Sequence, residues 1–162
     1  PYQTIAAALS TFAGQNYGAK KYDRIIKGYH RCLWIMTIFT LIMIPIIQLF
    51  GKSFIFVDNP IVKIDGAAAL RISSYFYIFL GLIYVVRGIL SGIGDSFFAL
   101  LNGIIEVIGR FTVPFILTRI ESIGYWGIWW SVGIVWFLSG ATAWIRYKFM
   151  KRALLKKKVS ET

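Results

Sequence analysis

The chain has 162 residues, 57% of them hydrophobic and only 15% charged, with a mean hydropathy of +0.66; one soluble core could not hide that much apolar surface, so a bilayer must be its solvent. The net charge of +11 would indicate nucleic acid in a soluble protein, but here the basic residues lie between apolar stretches, which excludes nucleic acid as a partner. A single cysteine, Cys32, and a single histidine, His30, exclude an internal disulfide and leave no metal framework, so no metal or other cofactor is expected.

A hydrocarbon layer of about 30 Å takes roughly 20 apolar residues in a helix, and this template organises the chain. Residues 1–14 are small and alanine-rich and read as the last turns of a truncated span. The first residue is proline, and no basic-then-apolar leader precedes the apolar stretches, so the sequence is expected to be a fragment beginning within a longer protein. Gly14-Gln15-Asn16-Tyr17-Gly18 is expected to break that helix. Residues 19–31 carry Lys20, Lys21, Arg24, Lys27 and Arg31, and the spacing of Tyr22, Ile25, Ile26 and Tyr29 predicts a short amphipathic interfacial helix. His30 falls in this basic segment and reads as solvated rather than as a proton relay.

Residues 32–50 form the first complete span, with Pro45 inside it, where a membrane helix tolerates a kink. Residues 51–65 are a mixed loop containing Asp58-Asn59-Pro60. The second span, 66–86, is entered past Arg71, whose charge can snorkel to the interface, and is closed by Arg87. The third, 97–117, is interrupted by Glu106 and Arg110 and carries Pro114; the fourth is 124–145. The expected fold is therefore all-α, a polytopic transmembrane helix bundle over residues 1–147 with four full spans and one truncated span. Residues 148–162 follow as a basic tail lying on the surface or disordered.

Cytoplasmic loops carry the excess of lysine and arginine. The 19–31 segment, the Arg87 turn and the C-terminal tail together hold 13 such residues, against 4 on the opposite side (Lys52, Lys63, Arg71 and Arg119). The C-terminus is thus expected in the cytoplasm. Tyr125, Trp126, Trp129 and Trp130 mark the outer end of the last span, Trp144 and Tyr147 its inner end, and Trp34 the inner end of the first.

An isolated charge in mid-membrane costs several kcal/mol, so Glu106 and Arg110 should pair, and their i, i+4 spacing with the acid first favours it. Extending that face collects Asp95, Asn102, Glu106, Gly109 and Arg110 in a stripe that must meet protein or water. Three roles fit it: an ion pair locking two helices, a part in a substrate or proton pathway, or a gate. Between Arg87 and Asp95, Gly88 and Gly92 permit close helix contact, Gly94 belongs to a tight turn, and Arg87 and Asp95 are placed to bridge across it. Tyr75 and Tyr77, with Ser73, Ser74 and Tyr84, offer surface for a flat organic cation or for helix packing.

Ser10 to Ala19 with its Gly14-Gln15-Asn16-Tyr17-Gly18-Ala19 stretch, Arg87-Gly88 through Gly92-Ile93-Gly94-Asp95, Glu106-Val107-Ile108-Gly109-Arg110 and the Gly124 to Trp136 opening of the last span resemble, in order, motifs of multidrug and toxic compound extrusion (MATE) transporters. The resemblance covers nearly the whole chain. It implies the C-terminal lobe of a twelve-helix, two-lobe transporter, from the end of the eighth helix to the twelfth, in the plasma membrane, the inner membrane if the source is bacterial. It further implies antiport, in which protons or sodium ions drive export of amphipathic, often cationic, organic compounds. Membrane lipid, the N-terminal lobe of the same protein and a small organic substrate are the partners implied. The coupling-ion acids of several members lie on helices outside this chain, and residues 66–86 hold no acid, which leaves Glu106 as the one embedded carboxylate.

Other readings compete. A flippase of lipid-linked oligosaccharide in the same superfamily would have a basic cavity for phosphate, and only Arg110 is deeply placed here. An intramembrane aspartyl protease would need Asp23 and Asp95 to converge within the membrane and share a proton. A non-transporting membrane protein would show the same spans.

Overall fold

The computed structural model describes residues 1–160; residues 161 and 162, the end of the expected tail, lie outside the described residues. The described residues form six α-helices and no strand: α1 (Tyr2–Gly18), α2 (Tyr22–Phe50), α3 (Pro60–Ser74), α4 (Tyr77–Gly92), α5 (Ser96–Leu117) and α6 (Gly127–Ser160), with 3-10 turns at Gly51–Phe54 and Gly124–Trp126. Three stretches, Tyr22–Phe54, Ser96–Leu117 and Gly124–Ser160, are each long and apolar enough to cross a membrane, and α3 with α4 makes a fourth if the bent pair is one span.

The helix α1 does not stop at Gly14. It continues to Gly18, because Asn16 donates back to the Phe12 carbonyl (2.8 Å) and Gly14 is spent on contact with Gly92 rather than on a turn. The stop comes at Lys20, in the left-handed region at φ 56°. The Lys20 amide donates to Tyr17 O (3.0 Å) and the Lys21 amide to Asn16 O (2.8 Å), which satisfies two carbonyls of the last turn.

The expected interfacial helix and first span are one 29-residue helix, α2. Arg31-Cys32 marks a change of polarity, and nothing in it breaks the backbone. The loop expected over 51–65 already contains the start of α3: Asn59 Oδ1 accepts from the amides of Ile61 (3.0 Å) and Val62 (3.4 Å), with Pro60 in the first turn.

The second expected span is not one rod. α3 and α4 meet at 58° across Tyr75 and Phe76. Gln48 of α2 fills the break, its Nε2 donating to the Arg71 carbonyl (3.1 Å) and to Ser74 Oγ (3.0 Å). Arg71 returns its Nε to the Gln48 carbonyl (3.1 Å), so it is held inside the bundle instead of snorkelling.

α1 and α4 cross closely through glycine. A Cβ built on Gly88 would lie 2.6 Å from the Ala6 carbonyl oxygen, and one on Gly92 would lie 2.9 Å from Ala13 Cβ and nearer still to the Ser10 carbonyl oxygen. The buried core gathers at the end of the bundle where α1 turns into α2: Leu9, Ala13, Tyr22, Ile25, Tyr29, Ile89, Leu90, Tyr147, Met150 and Leu154 meet there. Tyr29 stacks on Tyr147 with ring centroids 3.6 Å apart.

α6 explains the tail. Helix formers run on past residue 147, Met150 and Leu154 stay on the buried face four residues apart, and Lys157 and Lys158 donate to Tyr17 Oη (2.5 Å) and Asp23 Oδ2 (2.7 Å). Through Ser160 the tail is an ordered helix docked on α1 and α2. Elsewhere the outside is greasy: Phe97, Leu100, Ile108, Phe111 and Phe115 of α5 are all more than half exposed, as a lipid-facing helix requires.

Candidate functional site

α4 and α5 form an antiparallel pair joined by Ile93-Gly94-Asp95. Gly94 takes φ 87°, its amide donates to Ser91 O (3.2 Å), and the Asp95 amide donates to Leu90 O (2.8 Å). In such a pair, residues equally distant from the turn lie side by side. Arg87 therefore comes level with Asn102 rather than with Asp95.

Asn102 is fully buried where α4, α5 and α6 meet. Its Nδ2 donates to the Ser139 carbonyl (3.1 Å) and to Thr142 Oγ1 (3.0 Å), and its Oδ1 accepts from Arg87 Nε (2.9 Å). Arg87 Nη2 reaches Glu106 Oε2 at 3.2 Å, and Arg110 Nη2 reaches Glu106 Oε1 at 2.7 Å. Four side chains thus run as one string, Asn102–Arg87–Glu106–Arg110, with one carboxylate between two guanidiniums and a net charge of +1. Each oxygen of Glu106 accepts from one guanidinium, so the carboxylate ties α4 to α5 as well as closing the pair within α5. The Glu106 side chain is 17% exposed. Arg110 opens onto a cleft of about 210 Å³ between α5 and α6 that also holds Pro114, Ser131 and Trp136.

One turn of chain away, Arg146 of α6 grips Asp95, donating from Nε (3.0 Å) and from Nη2 to the same oxygen, Oδ2. α5 is therefore pinned to its neighbours at two heights, by Asp95 at its start and by Asn102 and Glu106 farther along.

The expected Glu106–Arg110 pair forms, and Glu106 takes Arg87 as a second cation. The expected Arg87–Asp95 bridge does not form, for the reason of register given above. Of the polar stripe, Gly109 serves an apolar contact: a Cβ there would lie 3.0 Å from Val135 Cγ2. Tyr75 and Tyr77 are parted by the break between α3 and α4. Tyr75 is 60% exposed, while Tyr77 packs near Tyr2 (centroids 6.4 Å) and Trp136 (5.9 Å), which brings it toward the Arg110 cleft. Asp23 and Asp95 do not converge; each is held by its own cation, Lys158 and Arg146. Among the described residues no group of acids, histidines and cysteines could hold a metal ion.

Sequence reasoning passed over Ser139, Thr142 and Arg146. Their spacing of three and four residues is the signal that finds them, a polar line along the last span matching the one on α5.

The family model MatE matches residues 1–117. Three solved structures are similar at 20% identity over 93% of this chain: a multidrug resistance MATE family transporter of the MOP superfamily in its inward-facing conformation (TM-score 0.85), one in its outward-facing conformation (0.84), and a MATE protein in complex with MaL6 (0.86). The chain spans 36%, 34% and 35% of their respective lengths. No curated protein matches the chain.

Proposed function

The chain belongs to the MatE family, whose members are transporters and not enzymes, and on that premise we propose that it forms part of one lobe of an antiporter that exports amphipathic, cationic organic compounds. It is an integral membrane protein of apolar helices. The observation that carries the reading is the equal fit of this helical unit to an inward-facing and an outward-facing transporter, 0.85 against 0.84. A lobe that rocks as a rigid body would fit both states equally.

Within that reading the Asn102–Arg87–Glu106–Arg110 string and the Asp95–Arg146 pair keep α4, α5 and α6 moving together. The net positive charge of the string disfavours an organic cation beside it, which supports a substrate position elsewhere in the transporter; the coupling ion, proton or sodium, belongs in this reading to helices outside this chain. The helix ends bearing the basic residues face the cytoplasm, with the C-terminus among them, in the plasma membrane. A phosphate-carrying cargo has no comparable support, since Arg87 and Arg110 are already committed to Glu106.

The test is efflux of an organic cation from proteoliposomes bearing the full-length transporter, under an imposed proton gradient and, separately, a sodium gradient. Gradient-driven efflux, lowered in Glu106→Gln at equal protein level, is expected. Efflux indifferent to both gradients would overturn antiport, and unchanged efflux by Glu106→Gln would remove the string from the transport cycle.

A further inference from the structure

Between α1 and α2 runs an open groove of about 670 Å³ that the transport reading does not use. Its walls are Ile5, Leu9, Phe12 and Cys32, and its floor is closed where Phe12 lies over Gly28, so tightly that a Cβ on Gly28 would stand 2.6 Å from the ring. Arg24, Lys27 and Arg31, at i, i+3 and i+7, line the same groove and are exposed. Among the described residues none of the three has an ion pair or a hydrogen bond from its side chain, and the nearby acid, Asp23, is held by Lys158. A row of free cations beside an apolar trough has the charge and shape of one kind of molecule: an anion carrying a hydrocarbon chain. The row also stands just before residue 32, where the apolar part of α2 begins, the depth at which lipid headgroups lie.

The geometry points to a binding site for one anionic phospholipid, its phosphate held by Arg24, Lys27 and Arg31 and an acyl chain lying along Ile5, Leu9 and Phe12. Each basic residue near an anionic headgroup contributes about fivefold, so three together favour an anionic over a zwitterionic lipid roughly a hundredfold.

Cys32, the one cysteine of the chain, lines the groove and reports its occupancy. The experiment is N-ethylmaleimide alkylation of Cys32, followed by peptide mass spectrometry on the full-length protein in nanodiscs of phosphatidylcholine alone or with phosphatidylglycerol. Phosphatidylglycerol should slow alkylation about tenfold or more. The triple change Arg24→Gln, Lys27→Gln, Arg31→Gln should abolish that protection, Lys27→Arg should keep it, and the charge-matched triple Lys151→Gln, Arg152→Gln, Lys156→Gln should keep it too. Equal protection in both lipids would mean that another segment of the protein covers the groove, and equal loss in both triples would mean diffuse surface charge; either result overturns the site.

Discussion

Gly88→Ala tests the close backbone crossing of α1 and α4. The added methyl would sit 2.6 Å from the Ala6 carbonyl oxygen, 3.2 Å from its Cα and 3.3 Å from its carbonyl carbon, where ordinary contact begins at 3.4 Å. All three neighbours are backbone atoms of a helix, so no side chain can swing aside. α1 and α4 must instead separate by most of an ångström, and Ile89 and Leu90, now fully buried, lose contact. Overpacking of this kind costs about 1–3 kcal/mol, against which alanine regains only about 1 kcal/mol of helix propensity. Gly18→Ala is the control, since a Cβ there meets nothing within 4 Å; it should be neutral or stabilising. Equilibrium unfolding in mixed dodecyl maltoside and SDS micelles, followed by tryptophan fluorescence, separates the two. Gly92→Ala clashes on the same crossing, so one separation relieves both, and the double variant should cost less than the sum of the single ones. If Gly88→Ala proves as stable as Gly18→Ala, the close crossing is wrong.

Three further outcomes follow from the same geometry. Asn102→Leu strands Arg87 Nε, while the Thr142 hydroxyl keeps its bond to the Ser139 carbonyl, and should destabilise by about 2–3 kcal/mol in the same titration, whereas Thr142→Val, which removes one weaker partner, should cost about 1 kcal/mol. Gly94→Ala should lose about 1 kcal/mol from its φ of 87° alone, since nothing lies within 4 Å of its Cβ, and Gly94→Asn should recover part of that loss. Leu154→Ala, at a site 2% exposed, should cost about 2–3 kcal/mol and speed hydrogen exchange over residues 151–160, while exchange at α5 stays unchanged.

Composition and local pattern by themselves determined that this chain lives in lipid, that it is all helix, roughly where its apolar stretches run, and that Glu106 must find a cation. These depend on short-range physics: the hydrocarbon thickness, the i, i+4 repeat and the cost of a lone buried charge. Even some elements that sequence reading missed had local signals, such as Asn59-Pro60 as the start of α3 and the Ser139, Thr142, Arg146 spacing on α6. What only the tertiary structure decided is which partner satisfies each polar group. Arg87 turns to Asn102 and Glu106 because of the register between α4 and α5, while Asp95 turns to Arg146, which lies 51 residues away in sequence. The bend at Tyr75 and Phe76 depends on Gln48 from another helix, and the basic tail stays helical because α1 and α2 offer Leu154, Lys157 and Lys158 somewhere to dock. Those outcomes lie outside local pattern because each is a choice among several chemically adequate partners, and only the packing of helices brings one of them within reach.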